Sequence, residues 1–168
     1  SAEPPADPDV VRDAVRLPPR GRRRPGGAGN RWVENFRYPA WKEAVEDHFL
    51  VLPQVETKLG LANAAALAAH EMTSALAVGP YDLSAELGVC GVMDAPVLLE
   101  ALATLRSTAA AARKPMWMIG DAEQLARQGW NFLCIGEPSW MLIDAVKQRL
   151  AAARGVAQPE KPAGYAGK

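Results

Sequence analysis

The chain has 168 residues, enough for one domain with a buried core. Its 19 basic and 19 acidic side chains cancel to a formal net charge of zero, so no global field draws in nucleic acid or anionic lipid, and neither is expected as a partner. No apolar run reaches the length of a membrane span, Ser1-Ala2-Glu3-Pro4-Pro5 is not a signal peptide, and Cys90 and Cys134 form neither a zinc spacing nor a disulfide framework, which together predict reduced thiols and a cytoplasmic location.

Residues 1–8 are Pro-rich and acidic and are expected to form a disordered lead-in. Asp9 to Arg16 predicts a short helix with Asp7 or Asp9 as its cap, stopped by Leu17-Pro18-Pro19. Arg20 to Asn30 is a basic, Gly-rich stretch without periodicity, and Pro39 is placed to start a helix through Trp41, Val45 and His48. Phe49 to Glu56 reads as a strand, Leu59 to Met72 as an Ala/Leu-rich helix, and Ala75 to Val78 as a short buried strand. Gly79 to Met93 reads as a long loop or a loop with a short helical turn, and Asp94 to Arg113 as a second long helix. Met116 to Ile119 and Asn131 to Ile135 are strands, separated by a helix that Asp121 caps and Gln128-Gly129 ends. Ser139 is expected to cap a last helix from Trp140 to about Ala153, and residues 154–168 form a flexible tail.

Strand and helix thus alternate about four times through one domain spanning residues 9–153, a pattern of parallel α/β architecture. Four units are too few to close an eight-stranded barrel, which takes roughly 200 residues or more. Neither GxGxxG after a strand nor GxxxxGK[ST] is present, so neither common nucleotide-binding fold is signalled.

Two apolar runs end in carboxylates. In a strand Leu50, Leu52, Gln54 and Glu56 share a face, which puts an amide and an acid at its carboxyl end. Asp82 follows the run Ala75–Val78 after the Gly79-Pro80 turn. Two acids on loops at one end of parallel strands offer oxygen ligands to a hard cation, although both also suit helix caps on βα loops. Gln54 by itself is equally a hydrogen-bonding strand residue. The Arg20–Arg24 cluster reads as a solvated loop rather than a phosphate or nucleic-acid site, and Gly26-Gly27-Ala28-Gly29 as flexible chain. His70 reads as a surface residue or a helix-dipole partner, Cys134 as a small buried residue, and Trp117, Trp130 and Trp140 as core or interface anchors.

Arg16-Leu17-Pro18-Pro19-Arg20-Gly21, Gln54-Val55-Glu56-Thr57 and Val78-Gly79-Pro80-Tyr81-Asp82-Leu83-Ser84, with Leu87-Gly88 beyond, resemble the HpcH/HpaI aldolase and citrate lyase family. Lys114-Pro115, Asp121 to Gln124 and Cys134-Ile135-Gly136 continue the likeness, which covers roughly residues 8 to 153. The resemblance implies a partial (β/α)8 TIM barrel that lacks the N-terminal strands. It further implies a metal-dependent carbon–carbon lyase acting on pyruvate-type 2-oxo acids and an aldehyde. By the same resemblance Glu56 and Asp82 would bind Mg²⁺ or Mn²⁺, Gln54 would line the catalytic pocket, and Gly79, Pro80, Tyr81 and Asp82 would hold the substrate carboxylate through backbone N–H groups. The family's catalytic histidine and carbonyl-polarising arginine lie on the earlier strands and have no counterpart here. The alternative is a non-catalytic, aldolase-like interaction subunit. In either case a partial barrel exposes apolar sheet surface, so a homo-oligomer is expected.

Overall fold

The computed structural model describes residues 2–4, 7–24 and 37–156. Helices α1 (Asp7–Val15) and α2 (Tyr38–Ala44) and a 3₁₀ turn (Glu46–His48) precede strand β1 (Gln54–Val55). Helices α3 (Lys58–Ala62) and α4 (Ala64–Ala69) lead to β2 (Leu76–Val78); α5 (Pro80–Glu86) and α6 (Pro96–Ala111) lead to β3 (Met116–Ile119). Helix α7 (Ala122–Arg127) leads to β4 (Phe132–Cys134), and α8 (Pro138–Ala153) follows. The strands pair in parallel in the order β1-β2-β3-β4. Each strand therefore lies beside its successor without the order reversal of a doubly wound sheet, which is the succession of a barrel wall. The expected α/β architecture of four parallel βα units is what the chain forms.

Strand alternation sorts the side chains by face. Val55, Leu76, Val78, Met116 and Met118 point into the core, where they meet Leu67 of α4, Leu83 of α5 and Leu98, Leu102 and Leu105 of α6. The α6 residues recur at three- and four-residue spacing, the stripe by which a helix covers a sheet. On the other face, Gln54, Ala77, Trp117 and Phe132 align across the sheet through successive register pairs. Gln54, Trp117 and Phe132 are only half-buried. That second face is the one a closed barrel would turn inward.

Several elements differ from the sequence reading for identifiable reasons. The expected strand Phe49–Glu56 pairs as a regular strand only at Gln54–Val55, and Leu50 is 69% exposed. Pro53 has no N–H to give the ladder, so it contributes only its carbonyl, which accepts from Ala77 at 2.9 Å. The helix expected from Leu59 to Met72 breaks at Asn63, whose Nδ2 donates to the Glu3 carbonyl at 3.0 Å, and it ends before His70. His70 is a half-buried partner of Asp9 at 3.3 Å rather than a surface group. Of the two expected forms of Gly79–Met93, the loop with a helical segment is the one seen: α5 opens it, because Pro80 presets the first helical φ and Leu83 is fully buried beneath it. Glu137, not Ser139, caps α8: its carboxylate accepts from the Trp140 N–H at 3.1 Å and from the Ser139 hydroxyl at 2.9 Å. The Ser139 backbone and hydroxyl hold its pKa below the usual range. In the lead-in, Ala2 is buried and donates to the Gln54 carbonyl at 2.9 Å, and α1 begins at Asp7.

In the described part of the basic stretch, Arg20 and Arg22 are ion-paired. Glu46 is 0% exposed and lies 3.7 Å from Arg16 Nη1 and 3.5 Å from Arg20 Nη1. Asp47 accepts from Arg20 Nη1 at 2.6 Å and Lys42 Nζ at 2.8 Å. Arg22 pairs with Asp13, and Arg23 lies over the Trp41 ring. Gly26 to Asn30 and Trp32 lie outside the described residues. The apolar residues of α8 face outward, Trp140 at 59% exposure among them, so this helix is an apolar surface in the described structure.

Lys42 first, and Arg20 after it, hold the Asp47 carboxyl at about 2, below its ordinary 3.8. A depressed carboxylate pKa stabilises the fold above the unfolded value, and that contribution is lost as pH falls through the folded one. Asp47→Asn is therefore expected to lower stability at neutral pH, with the gap from the parent closing between 3.8 and about 2; urea denaturation over that range checks it. In the core, Leu67→Ala is expected to cost about 2–5 kcal/mol in the same measurement.

Candidate functional site

The site is built where β1 and β2 end. Val55 pairs with Val78, so the next residues, Glu56 and Gly79, lie side by side at the carboxyl edge. The Gly79 N–H donates to the Val55 carbonyl at 3.1 Å and holds them there. Gln54, one face-repeat before Glu56, donates from Nε2 to Glu56 Oε2 at 3.1 Å. The amide thereby fixes the direction of the carboxylate.

Gly79 is what allows this contact. A Cβ at Gly79 would collide with Glu56 Oε2 and would stand 2.8 Å from Gln54 Nε2. The carboxylate and the amide thus lie directly against the Gly79 backbone, in space that any other residue would fill.

Pro80, Tyr81 and Asp82 form the first turn of α5. The first-turn N–H groups of a helix point away from its own carbonyls; here the first bond back is from the Leu83 N–H to the Gly79 carbonyl at 2.9 Å. The Asp82 carboxylate is exposed in that turn, and Tyr81 is 49% exposed. Tyr81 leans toward Gly91, where an added Cβ would be 3.5 Å from the ring.

Of the predicted site residues, the structure brings Gln54, Glu56 and Gly79 into contact and sets Pro80, Tyr81 and Asp82 immediately after Gly79. Ser84 was missed by the sequence reading. It is fully buried, donates to the Tyr81 carbonyl at 2.6 Å and accepts from the Gly91 N–H at 2.9 Å, which fastens the loop after α5 to the turn carrying Asp82. A serine one turn past the Gly-Pro start of an apolar helix was the available signal.

Glu56 and Asp82 carry hard oxygen donors, of the kind that suits Mg²⁺ or Mn²⁺ rather than a soft metal. No group of three or more His, Cys, Asp and Glu gathers among the described residues. Mg²⁺ is commonly held by one or two carboxylates with the remaining positions left to substrate oxygens and water, so the residues present fit such an ion.

Gly79→Ala is expected to leave the chain folded, since a φ of −97° is open to alanine. The Glu56 carboxylate must then move away from Gln54. Only the far ends of two half-buried side chains have to shift, so less than about 1 kcal/mol of change is expected in urea denaturation, with a shifted Gln54 side-chain amide signal in NMR.

The sequence profile of the HpcH/HpaI aldolase/citrate lyase family matches residues 3–145. The 2-keto-3-deoxy-L-rhamnonate aldolase of Shigella boydii is 32% identical over 145 residues, covering 84% of this chain and 54% of that one. The hydroxypyruvate/pyruvate aldolase of Chromohalobacter salexigens is 31% identical over 151 residues, covering 84% of this chain and 58% of that one. The chain spans about half the length of the curated relatives it matches. In fold it is similar to an HpcH/HpaI aldolase/citrate lyase family protein from Burkholderia cenocepacia, with a TM-score of 0.78 at 24% identity over 92% of this chain and 63% of that one. Its structural neighbours are TIM barrels, and its four βα units correspond to part of one.

Proposed function

The chain belongs to the HpcH/HpaI aldolase/citrate lyase family, and from that premise we propose that it forms the metal-binding part of a carbon–carbon lyase acting on pyruvate-type 2-oxo acids and an aldehyde. The observation that carries the reading is the Glu56 carboxylate held by Gln54 against the bare Gly79 backbone at the carboxyl edge of the sheet. Active sites of (β/α)8 barrels are built at that edge.

In this reading Glu56 and Asp82 hold Mg²⁺ or Mn²⁺, with Gln54 orienting Glu56. When bound, such a cation would supply Lewis acidity to a substrate 2-oxo group. The chain's own contribution is positional. Gly79 lets the carboxylate approach the strand end, and the first turn of α5 presents backbone N–H groups at Tyr81 and Asp82 to the substrate carboxylate. Ser84 keeps that turn and the Gly91 loop in one arrangement.

One observation favours the second reading, a subunit that binds without turning over by itself. The two histidines of the chain, His48 and His70, precede β1 and β2 and so lie toward the opposite end of the strands. Neither is at the site to move a proton. The base must then come from residues outside those named here, or the chain serves as a scaffold. The apolar residues exposed on α8 support association with a second copy.

Calorimetric titration of Mn²⁺ with and without pyruvate tests the proposal. The expected result is binding by the parent that pyruvate strengthens, binding abolished in Glu56→Gln, and affinity reduced about 10–100-fold in Gln54→Ala, as for other residues that orient a metal ligand. Absence of Mn²⁺ binding by the parent, or unchanged binding by Glu56→Gln, contradicts it. Binding without retro-aldol turnover supports the second reading.

A further inference from the structure

The carboxyl edge of the sheet has two chemically different halves. After β1 and β2 it carries the polar groups Gln54, Glu56 and Asp82. On β3 and β4 the side chains of the same face are Trp117 and Ile119, paired with Phe132 and Cys134. These four are half-buried, whereas Met116 and Met118, on the other face of β3, belong to the core.

The register fixes the level at which each side chain stands. Gln54, Ala77, Trp117 and Phe132 form one row. Two residues further along each strand come Glu56, Gly79, Ile119 and Cys134. The inner layers of a barrel are packed core, and the lower row of Trp117 and Phe132 suits that role. Ile119 and Cys134 stand level with Glu56, where a ligand of that carboxylate is met. Glu56 also points their way. Its Oε2 takes up the space in which a Cβ of Gly79 would stand, so the carboxylate reaches from β1 across to β2. The next side chain along the row is Ile119, one strand spacing further on, about 5 Å.

Neither β3 nor β4 carries a side-chain oxygen on this face. Each strand runs into a glycine, Gly120 and Gly136, and the acids that follow are bound to their own helix starts. Asp121 Oδ1 accepts from the Gln124 N–H at 3.0 Å, and Glu137 accepts from the Trp140 N–H and the Ser139 hydroxyl. The Cys134 thiol donates to the Gly136 carbonyl at 3.6 Å, and a free thiol otherwise packs as a small apolar group. The Trp117 N–H is a donor only. A ligand hydroxyl set against these residues therefore finds no side-chain oxygen to take its proton. Leaving one such group unsatisfied weakens binding about tenfold.

We propose that Ile119 and Cys134, resting on Trp117 and Phe132, form a wall for the aldehyde-derived carbons of the substrate, and that those carbons are aliphatic and free of further hydroxyl groups. The inference rests on the reading that places the 2-oxo acid end of the substrate at Glu56 and Asp82. It adds the chemical class of the other end.

The test compares two aldol adducts of pyruvate that share one carbon skeleton, the adduct with propanal and the adduct with glyceraldehyde, which adds two hydroxyls. Each is titrated calorimetrically into the full chain with and without Mn²⁺, and pyruvate is titrated as a third ligand. The propanal adduct is expected to bind about tenfold or more tightly than the glyceraldehyde adduct under both conditions, because the wall does not depend on the ion. Ile119→Thr and Cys134→Ser place a hydroxyl in the wall at nearly constant volume. Each is expected to reduce that ratio about threefold or more, with the far-UV circular dichroism unchanged. Loss of Mn²⁺-dependent pyruvate binding with the ratio intact removes the metal reading and supports the wall. A ratio near one in the parent, or a ratio unchanged in both variants, overturns the wall; pyruvate binding that Mn²⁺ strengthens would then leave the metal reading standing. No binding of either adduct under either condition overturns the wall as well.

Discussion

The arrangement at the carboxyl edge depends on the approach of the Glu56 carboxylate to the Gly79 backbone. Two conditions make it possible: the parallel register that pairs Val55 with Val78, and the absence of a side chain at Gly79. The first follows from burial. Val55 and Val78 are both fully buried, and a slip of one residue would turn each strand's apolar set away from the core. The second is a matter of space, since any Cβ at Gly79 displaces the carboxylate. The core thus fixes the register, the register fixes which residues meet at the sheet edge, and the glycine decides how closely they meet.

The same sheet is covered unequally. Helices pack the face of Val55, Leu76, Val78, Met116 and Met118, while the row of Gln54, Trp117 and Phe132 stays half-buried. Parallel sheets are ordinarily covered on both faces. Helix α8 adds exposed apolar residues of its own, on a chain that spans about half the length of its curated relatives. The ion-paired cluster of Arg16, Arg20, Glu46 and Asp47 joins the segment after α1 to the 3₁₀ turn before β1.

The legible parts of the sequence were those where local chemistry and tertiary packing agree. Met116 to Ile119 and the Asp121-capped helix after it came out as read, because a β-rich apolar run and an N-cap aspartate have few alternatives. The architecture was legible from the alternation of elements. What was not legible depended on partners distant in sequence. Asn63 breaks its helix because the Glu3 carbonyl is there to accept its amide. Arg20 appeared to be a solvated charge because its partners, Glu46 and Asp47, are more than two dozen residues away. At the site, the acids and the amide could be singled out by face and position. The contact of Glu56 with Gly79 required the register, and the role of Ser84 required knowing that the expected loop begins as a helix.

We propose that the edge formed by Gln54, Glu56, Gly79 and Asp82 holds a divalent cation. Paramagnetic broadening of amide signals by substoichiometric Mn²⁺, residue by residue, tests it most directly, because the effect falls steeply with distance from the ion. The claim requires the signals of Glu56, Gly79, Tyr81 and Asp82 to broaden first, with those of Glu46 and Asp47 unaffected at the same ratio. Broadening centred on Glu46 and Asp47, or spread evenly over the exposed acids, would contradict it.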